Sequence, residues 1–280
     1  MNPILAATDF SPTAANAAAY AYRLAGDTGR RLILFHADPK PLLAAVAYPV
    51  GCRSEPEQAD EQVRSQLEQL RERLCRADTG ARPAVSLESC KGPVIGQLET
   101  MIRSTCASLI VVGTRGHTGT ERLLFGSTSA RAIRKLSRPV LAVPPGVVYQ
   151  RIRRVGLAFD FQGVHRNLPR AAIRNLLTEL GAELHIVHVN DASRSINDEQ
   201  QQQMNQLRVL FKEQLLEFHF ITAPSVEGGI NEAIREWGMD LIITLPKEHR
   251  WADRLFQHSH TRQLLLQANV PVLFLRNQED

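Results

Sequence analysis

The feature that most constrains this 280-residue chain is that it contains itself twice. Without gaps, Leu109–Val143 set against Leu241–Leu275 gives nine identities in 35 positions. They are Leu109/Leu241, Ile110/Ile242, His117/His249, Arg122/Arg254, Leu123/Leu255, Ser127/Ser259 and the trio Pro139-Val140-Leu141/Pro271-Val272-Leu273. "RVGLAFD" (154–160) likewise matches "PILAATD" (3–9), which sets Asp160 against Asp9, and "GAELHIVHVN" (181–190) matches "GRRLILFHAD" (29–38). A tandem duplication requires one structural plan that closes its own core and is used twice. Proline and glycine punctuate "PPGVVYQR" (144–151), so the expected domains are 1–146 and 147–280.

The plan alternates strands with helices. "ILAAT" (4–8) is an apolar run closing on Asp9, and "SPTAANAAAYAYRLA" (11–25) offers Ser11 as N-cap, Pro12 at the first helical position and helical alanine spacing. Strands follow at 31–37, 84–90, 108–113 and 138–144, with helices at about 57–77, 94–105 and 128–137 between them. Strand runs that are apolar throughout belong to parallel sheets covered on both faces. The expected fold class is therefore α/β, with two tandem open parallel five-stranded sheets and helices on both faces. The repeated closing strands, 140–143 and 272–275, are expected to pair the halves about a pseudo-twofold axis.

Composition excludes several classes. Hydrophobic residues make up 44% and charged residues 22%, a globular balance with no apolar run long enough to span a bilayer. The start of the chain shows no export signal, and Cys52, Cys75, Cys90 and Cys106 fit neither a zinc motif nor a CxxC pair. These point to buried or incidental thiols in a cytoplasmic protein without a membrane partner. Residues 1–144 carry 18 Lys/Arg against 13 Asp/Glu, and residues 145–280 carry 15 against 16. That surplus favours an anionic ligand in the first half but is too small to argue for nucleic acid.

The halves diverge at "GTRGHTGTERLLFGST" (113–128). Gly113, Gly116, Gly119 and Gly126 face Leu245, Glu248, Trp251 and His258. Glycine is entropically costly to order, so its loss from one repeat while the scaffold persists suggests that the four serve a ligand. The loop follows a strand and leads into a helix, where open α/β sheets bind ligands and free amides attract anions. A tight turn that needs glycine for its own backbone is the alternative. No GxxxxGK[ST], no GxGxxG after the first strand and no GxSxG occurs.

The spacing Gly113-x2-Gly116-x9-Gly126-Ser127 resembles the nucleotide loop of ATP-binding universal stress proteins. "ILAATDFSPTAANAAAYAYRLA" resembles that family's opening strand and helix, and "RPVLAVP" its closing strand. Two positions depart from the family pattern. Ser108 stands where Asp is usual, although Asp240 keeps it in the second half, and Ala37 is smaller than the usual valine. The resemblance implies that Ala7, Thr8, Asp9 and Ala37 contact adenine or ribose. It places Gly113, Thr114, Arg115 and Gly116 along the ribose and α-phosphate. Gly126, Ser127, Thr128 and Ser129 would hold the β- and γ-phosphates with Mg2+. Arg115 is either a charge-assisted phosphate donor or a solvated surface arginine.

The remaining candidates have plainer readings. His249, His258 and His260 with Asp253 read as a polar loop filling a vacated site, not as a metal centre. His36/His188 and His117/His249 recur in both halves, which suits structural hydrogen bonding. Gln200–Gln203 reads as an exposed helix face, and Asp9 as a strand-end or capping residue with no nucleophile paired to it. The expected function is an ATP-binding stress-response protein, not an enzyme, acting through conformation or an unidentified protein partner. It would form an intrachain pseudo-dimer and could form a homodimer. A weak ATPase or adenylyl-transferring enzyme, and a ligand-free scaffold, are the alternatives.

Overall fold

The chain divides into two α/β units, Met1–Tyr149 and Gln150–Asp280. A computed structural model describes residues 1–39, 54–77, 80–114, 127–161, 168–190, 197–245 and 268–276. The first unit contains strands β1 (Ile4–Ala7), β2 (Leu32–Asp38), β3 (Val85–Lys91), β4 (Leu109–Gly113) and β5 (Val140–Val143). Between them run helices α1 (Pro12–Asp27), α2 (Ser54–Ala77), α3 (Val94–Thr105) and α4 (Ser127–Lys135). All strand pairs are parallel, in the order β3-β2-β1-β4-β5. Right-handed crossovers put α1 and α2 on one face and α3 and α4 on the other, and each pair is in mutual contact.

The second unit repeats this order as β8-β7-β6-β9-β10, again all parallel. Its strands are β6 (Arg154–Ala158), β7 (Glu183–Asn190), β8 (Leu216–Thr222), β9 (Leu241–Thr244) and β10 (Val272–Phe274). Its described helices are α5 (Arg170–Leu180), α6 (Asp198–Leu210) and α7 (Val226–Trp237). The elements expected from sequence are present in the expected order, with ends displaced by up to three residues. Strand registers fix the correspondence between the repeats. Ile4 pairs with Leu109 as Val155 pairs with Leu241, and Ala6 pairs with Leu34 as Leu157 pairs with Ile186.

Helix α1 shows how sequence becomes packing. Ser11 Oγ accepts from the Ala14 amide at 3.2 Å and Pro12 opens the helix, as the N-terminal rules require. Its buried face is built from Ala14, Ala17, Ala18, Ala21 and Ala25 with Tyr20, Tyr22 and Leu24, so the backbone can lie close over β1 and β4. The segment after β5 then returns to this helix. Asn16 Nδ2 donates to the carbonyls of Pro144 and Val147, each at 3.2 Å, and the Tyr149 hydroxyl donates to Asp27 Oδ2 at 2.8 Å. Tyr149 also meets Tyr20 edge-on at 5.0 Å. These anchors carry the first unit to Tyr149, past the boundary that proline and glycine suggested at 146.

Candidate functional site at the strand ends of the first unit

The chain leaves β1 toward β2 but reaches β4 from the other side, so the crossovers diverge between β1 and β4. Such a divergence opens a crevice at the carboxyl ends of the strands. Ala7, Thr8 and Asp9 border it from β1, Gly113 and Thr114 from β4, and Ala37 lies at the end of neighbouring β2. The Thr8 amide donates to Phe35 O at 2.8 Å and the Thr114 amide to Val143 O at 3.1 Å, extending the sheet past its last regular residue. Both threonines are buried, Thr114 at 1% exposure.

The turn beyond β1 is held by side chains bonding to backbone. Thr8 Oγ1 accepts from the Phe10 amide and Asp9 Oδ1 from the Ser11 amide, each at 3.0 Å. His36 Nδ1 donates to Thr8 O at 2.8 Å, and Phe10 stacks on that imidazole at 4.6 Å between centroids. Phe10 adopts φ +63°, a left-handed conformation rare for a bulky residue. Asp9 thus serves the turn, as its retention in both repeats suggested.

A buried side-chain bond ties helix α4 to the crevice: Ser129 Oγ donates to Gly113 O at 2.6 Å. The backbone of Ser127 and Thr128 forms the same first turn, where amides have no partner within the helix. A Cβ on Gly113 would lie 2.9 Å from both Thr13 Cγ2 and Thr13 O, so this glycine is required by the approach of α1 to β4. The Ser129 hydroxyl proton is committed to a carbonyl, so this hydroxyl positions α4. Arg115, Gly116, Gly119 and Gly126, with His117, lie outside the described residues.

Beside this crevice, a cleft of about 870 Å³ runs between α2 and β3, reaching His36 and Asp38 at the end of β2. Lys91 Nζ pairs with Asp60 at 2.8 Å along it. Cys90 also lines it, and burial pushes its thiol pKa up, away from reactivity. The described cysteines, Cys75, Cys90 and Cys106, are unpaired; two are half-buried and Cys106 is exposed.

The second unit keeps the frame of the strand end. His188 Nδ1 donates to Phe159 O at 2.8 Å, the counterpart of His36 on Thr8. Phe161 adopts φ +52° and meets His188 edge-on at 4.9 Å. The expected structural role of His36 and His188 therefore holds. The two phenylalanines were legible in the repeated Asp9-Phe10/Asp160-Phe161 pair but were not singled out. Gln200, expected on an exposed face, instead completes a capping box with Asn197 at the start of α6. His249, His258, His260 and Asp253, with Glu248 and Trp251, lie outside the described residues, while Leu245 is half-buried at the end of β9.

The departure at Ser108 also has a physical reason. Asp240 Oδ2 accepts from the amides of Arg153 and Arg154 at 2.8 and 2.9 Å, fastening the start of β6. The register counterpart of Arg154 is Pro3, which has no N–H to give. Ser108 bonds Arg30 Nη1 instead, at 3.0 Å.

The universal stress protein family model matches residues 1–144 and again 151–276. The chain belongs to the universal stress protein family. Among solved structures, a universal stress protein from Archaeoglobus fulgidus is similar over 99% of each chain, with TM-score 0.75 and 18% identity. A functionally unknown protein from Pseudomonas aeruginosa is similar over 98% of this chain and 92% of its own, with TM-score 0.61 and 14% identity. A second Pseudomonas aeruginosa structure, described as a universal stress protein, gives TM-score 0.60 and 14% identity over 98% and 93%. At these identities the structural likeness speaks to the fold. No curated protein sequence matches this tandem universal stress protein. No helix among the described residues is long and apolar enough to cross a membrane.

Proposed function

We propose that this universal stress protein binds one adenine nucleotide, ATP with Mg2+, in its first unit and acts through the conformation or protein partner that occupancy selects. The observation that carries this reading is the bond from Ser129 to Gly113 O, which holds the first turn of α4 at the β1/β4 crevice. A helix N-terminus at that point presents unpaired amides and a partial positive charge to a phosphate. In this reading the small side chains of Ala7 and Ala37, at the ends of β1 and β2, make room for an adenine or ribose. The intervening loop, with Arg115, Gly116 and Gly126, supplies the rest of the phosphate contacts in this reading, and Thr8 and Asp9 border the adenine or ribose.

Binding, not turnover, is the proposed activity. Of the titratable groups at the strand ends, Asp9 and His36 are engaged with backbone, and phosphoryl transfer needs a placed base or a cationic clamp. Unpaired thiols at three positions suit the reducing cytoplasm, where we place the protein. Calorimetric titration of the intact chain with Mg-ATP is the test, together with steady-state hydrolysis. The expected result is one site per chain and turnover far below about 1 per second, the low end for dedicated enzymes. Absence of saturable binding at millimolar nucleotide would reject the reading.

A further inference from the structure

Away from the strand ends, the second unit carries a cluster that nucleotide binding does not use. His185 on β7 and Glu217 and His219 on β8 project from one face of the sheet, since His185 and Glu217 are register partners and His219 follows two residues on. His185 Nδ1 lies 2.9 Å from His219 Nε2, and Glu217 Oε2 lies 3.6 Å from each of these nitrogens. We propose that these three atoms form a binding site for a zinc-class divalent ion.

The distances fit such an ion. Tetrahedral zinc with ligands at about 2.0–2.1 Å sets its donors about 3.3 Å apart, so shifts of about 0.3–0.4 Å convert the present triangle into a coordination face. Two imidazoles and one carboxylate leave a fourth position for water. Both rings are buried, His185 at 3% exposure, whereas the Glu217 side chain is 63% exposed, which gives the ion a route in from solvent.

A second, independent observation concerns the far side of His185. Among the described residues its buried Nε2 has no hydrogen-bond partner, and the Glu183 carboxylate stands 3.6 Å away. A histidine that ligates through one nitrogen typically gives the other N–H to a carboxylate, which fixes the tautomer and strengthens the ligand. Glu183 is placed for that role. Trp237 closes the site from α7, stacked on His219 at 4.1 Å. The scaffold does not demand these groups, because the first unit builds the same strands with Arg31, Ile33, Ser86 and Glu88 at the corresponding register positions.

Trp237 supplies a reporter, since Trp251 is the only other tryptophan. In the full chain carrying Trp251→Phe, titration with Co2+ should quench Trp237 fluorescence saturably at one equivalent, with visible bands of a low-coordinate cobalt ion. Zn2+ should displace the cobalt and restore emission. Adding Glu217→Gln, at an exposed position that leaves the core intact, should weaken binding at least tenfold. Adding Glu183→Gln should weaken it about 10–100-fold, the usual effect of losing such a supporting carboxylate. His219→Gln should abolish the saturable phase. Quenching that is absent, or unchanged by both Glu217→Gln and His219→Gln, would overturn the proposal whatever the outcome for nucleotide.

Discussion

The two units use one sheet order and one strand-end frame, yet they differ in what the frame is left free to hold. In both, a histidine of the second strand ties down the carbonyl before the Asp-Phe turn, and a phenylalanine takes the left-handed conformation. Those features belong to the fold, because they persist where the glycine loop does not. In the first unit the fourth strand ends in Gly113, tight against α1; in the second it ends in Thr244, and Leu245 stands at the position of that glycine. The second unit in turn holds a buried histidine pair on β7 and β8, where the first has Ile33 and Glu88. What both repeats keep therefore belongs to the fold, while what differs includes packing particular to one unit, as at Gly113.

Gly113 is the strongest place to break that comparison, because its conformation is ordinary and its need for glycine is steric. Gly113→Val should destabilise the chain by about 3 kcal/mol, since the contacted atoms include backbone of α1 and cannot simply rotate away. Denaturant unfolding checks this, and a loss below about 0.5 kcal/mol would show that α1 does not approach as described. The carboxylate at Asp240 comes next. Asp240→Ala removes an acceptor from two amides and should cost about 1–2 kcal/mol. Ser108→Asp should gain less, because Pro3 offers no amide in place of that of Arg154. Equal effects at the two positions in thermal unfolding would contradict the stated reason for their difference.

The smallest expected effect is a gain. Cys106 caps α3 at φ +55°, where the corresponding residue of the second unit, Gly238, caps α7 at φ +61°. Cys106→Gly should therefore stabilise by up to about 1 kcal/mol, raising Tm by about 2–4 °C for a unit of this size. An unchanged or lowered Tm would mean that the cysteine side chain contributes more than its backbone strain costs.

Element order, the α1 cap and the structural histidines were legible because each rests on local chemistry or on repetition. Ser11-Pro12 signals its helix start within two residues, and His36/His188 recur in register. The reason for Gly113 was not legible, since a loop glycine looks the same whether it makes room for a ligand or for a helix distant in sequence. The positioning role of the Ser129 hydroxyl was hidden for a similar cause: three hydroxyls after Gly126 resemble a donor set until one is found bonded to the carbonyl of Gly113. The His185, Glu217 and His219 cluster was missed because its members come from two strands, and only their register brings them together. Glu183-x-His185 and Glu217-x-His219, matched acidic-x-histidine pairs on adjacent parallel strands, were the available signal.

The central claim is that nucleotide binding belongs to the first unit alone. The most direct measurement is calorimetric titration of three full-length chains with Mg-ATP: wild type, Gly126→Val and His258→Val. The account predicts one site in wild type and no change in His258→Val. Gly126→Val should bind at least 100-fold more weakly, about 2.7 kcal/mol, because a branched Cβ would occupy phosphate space and resist any positive φ. Two equivalent sites in wild type, or binding that survives Gly126→Val and is lost in His258→Val, would contradict it.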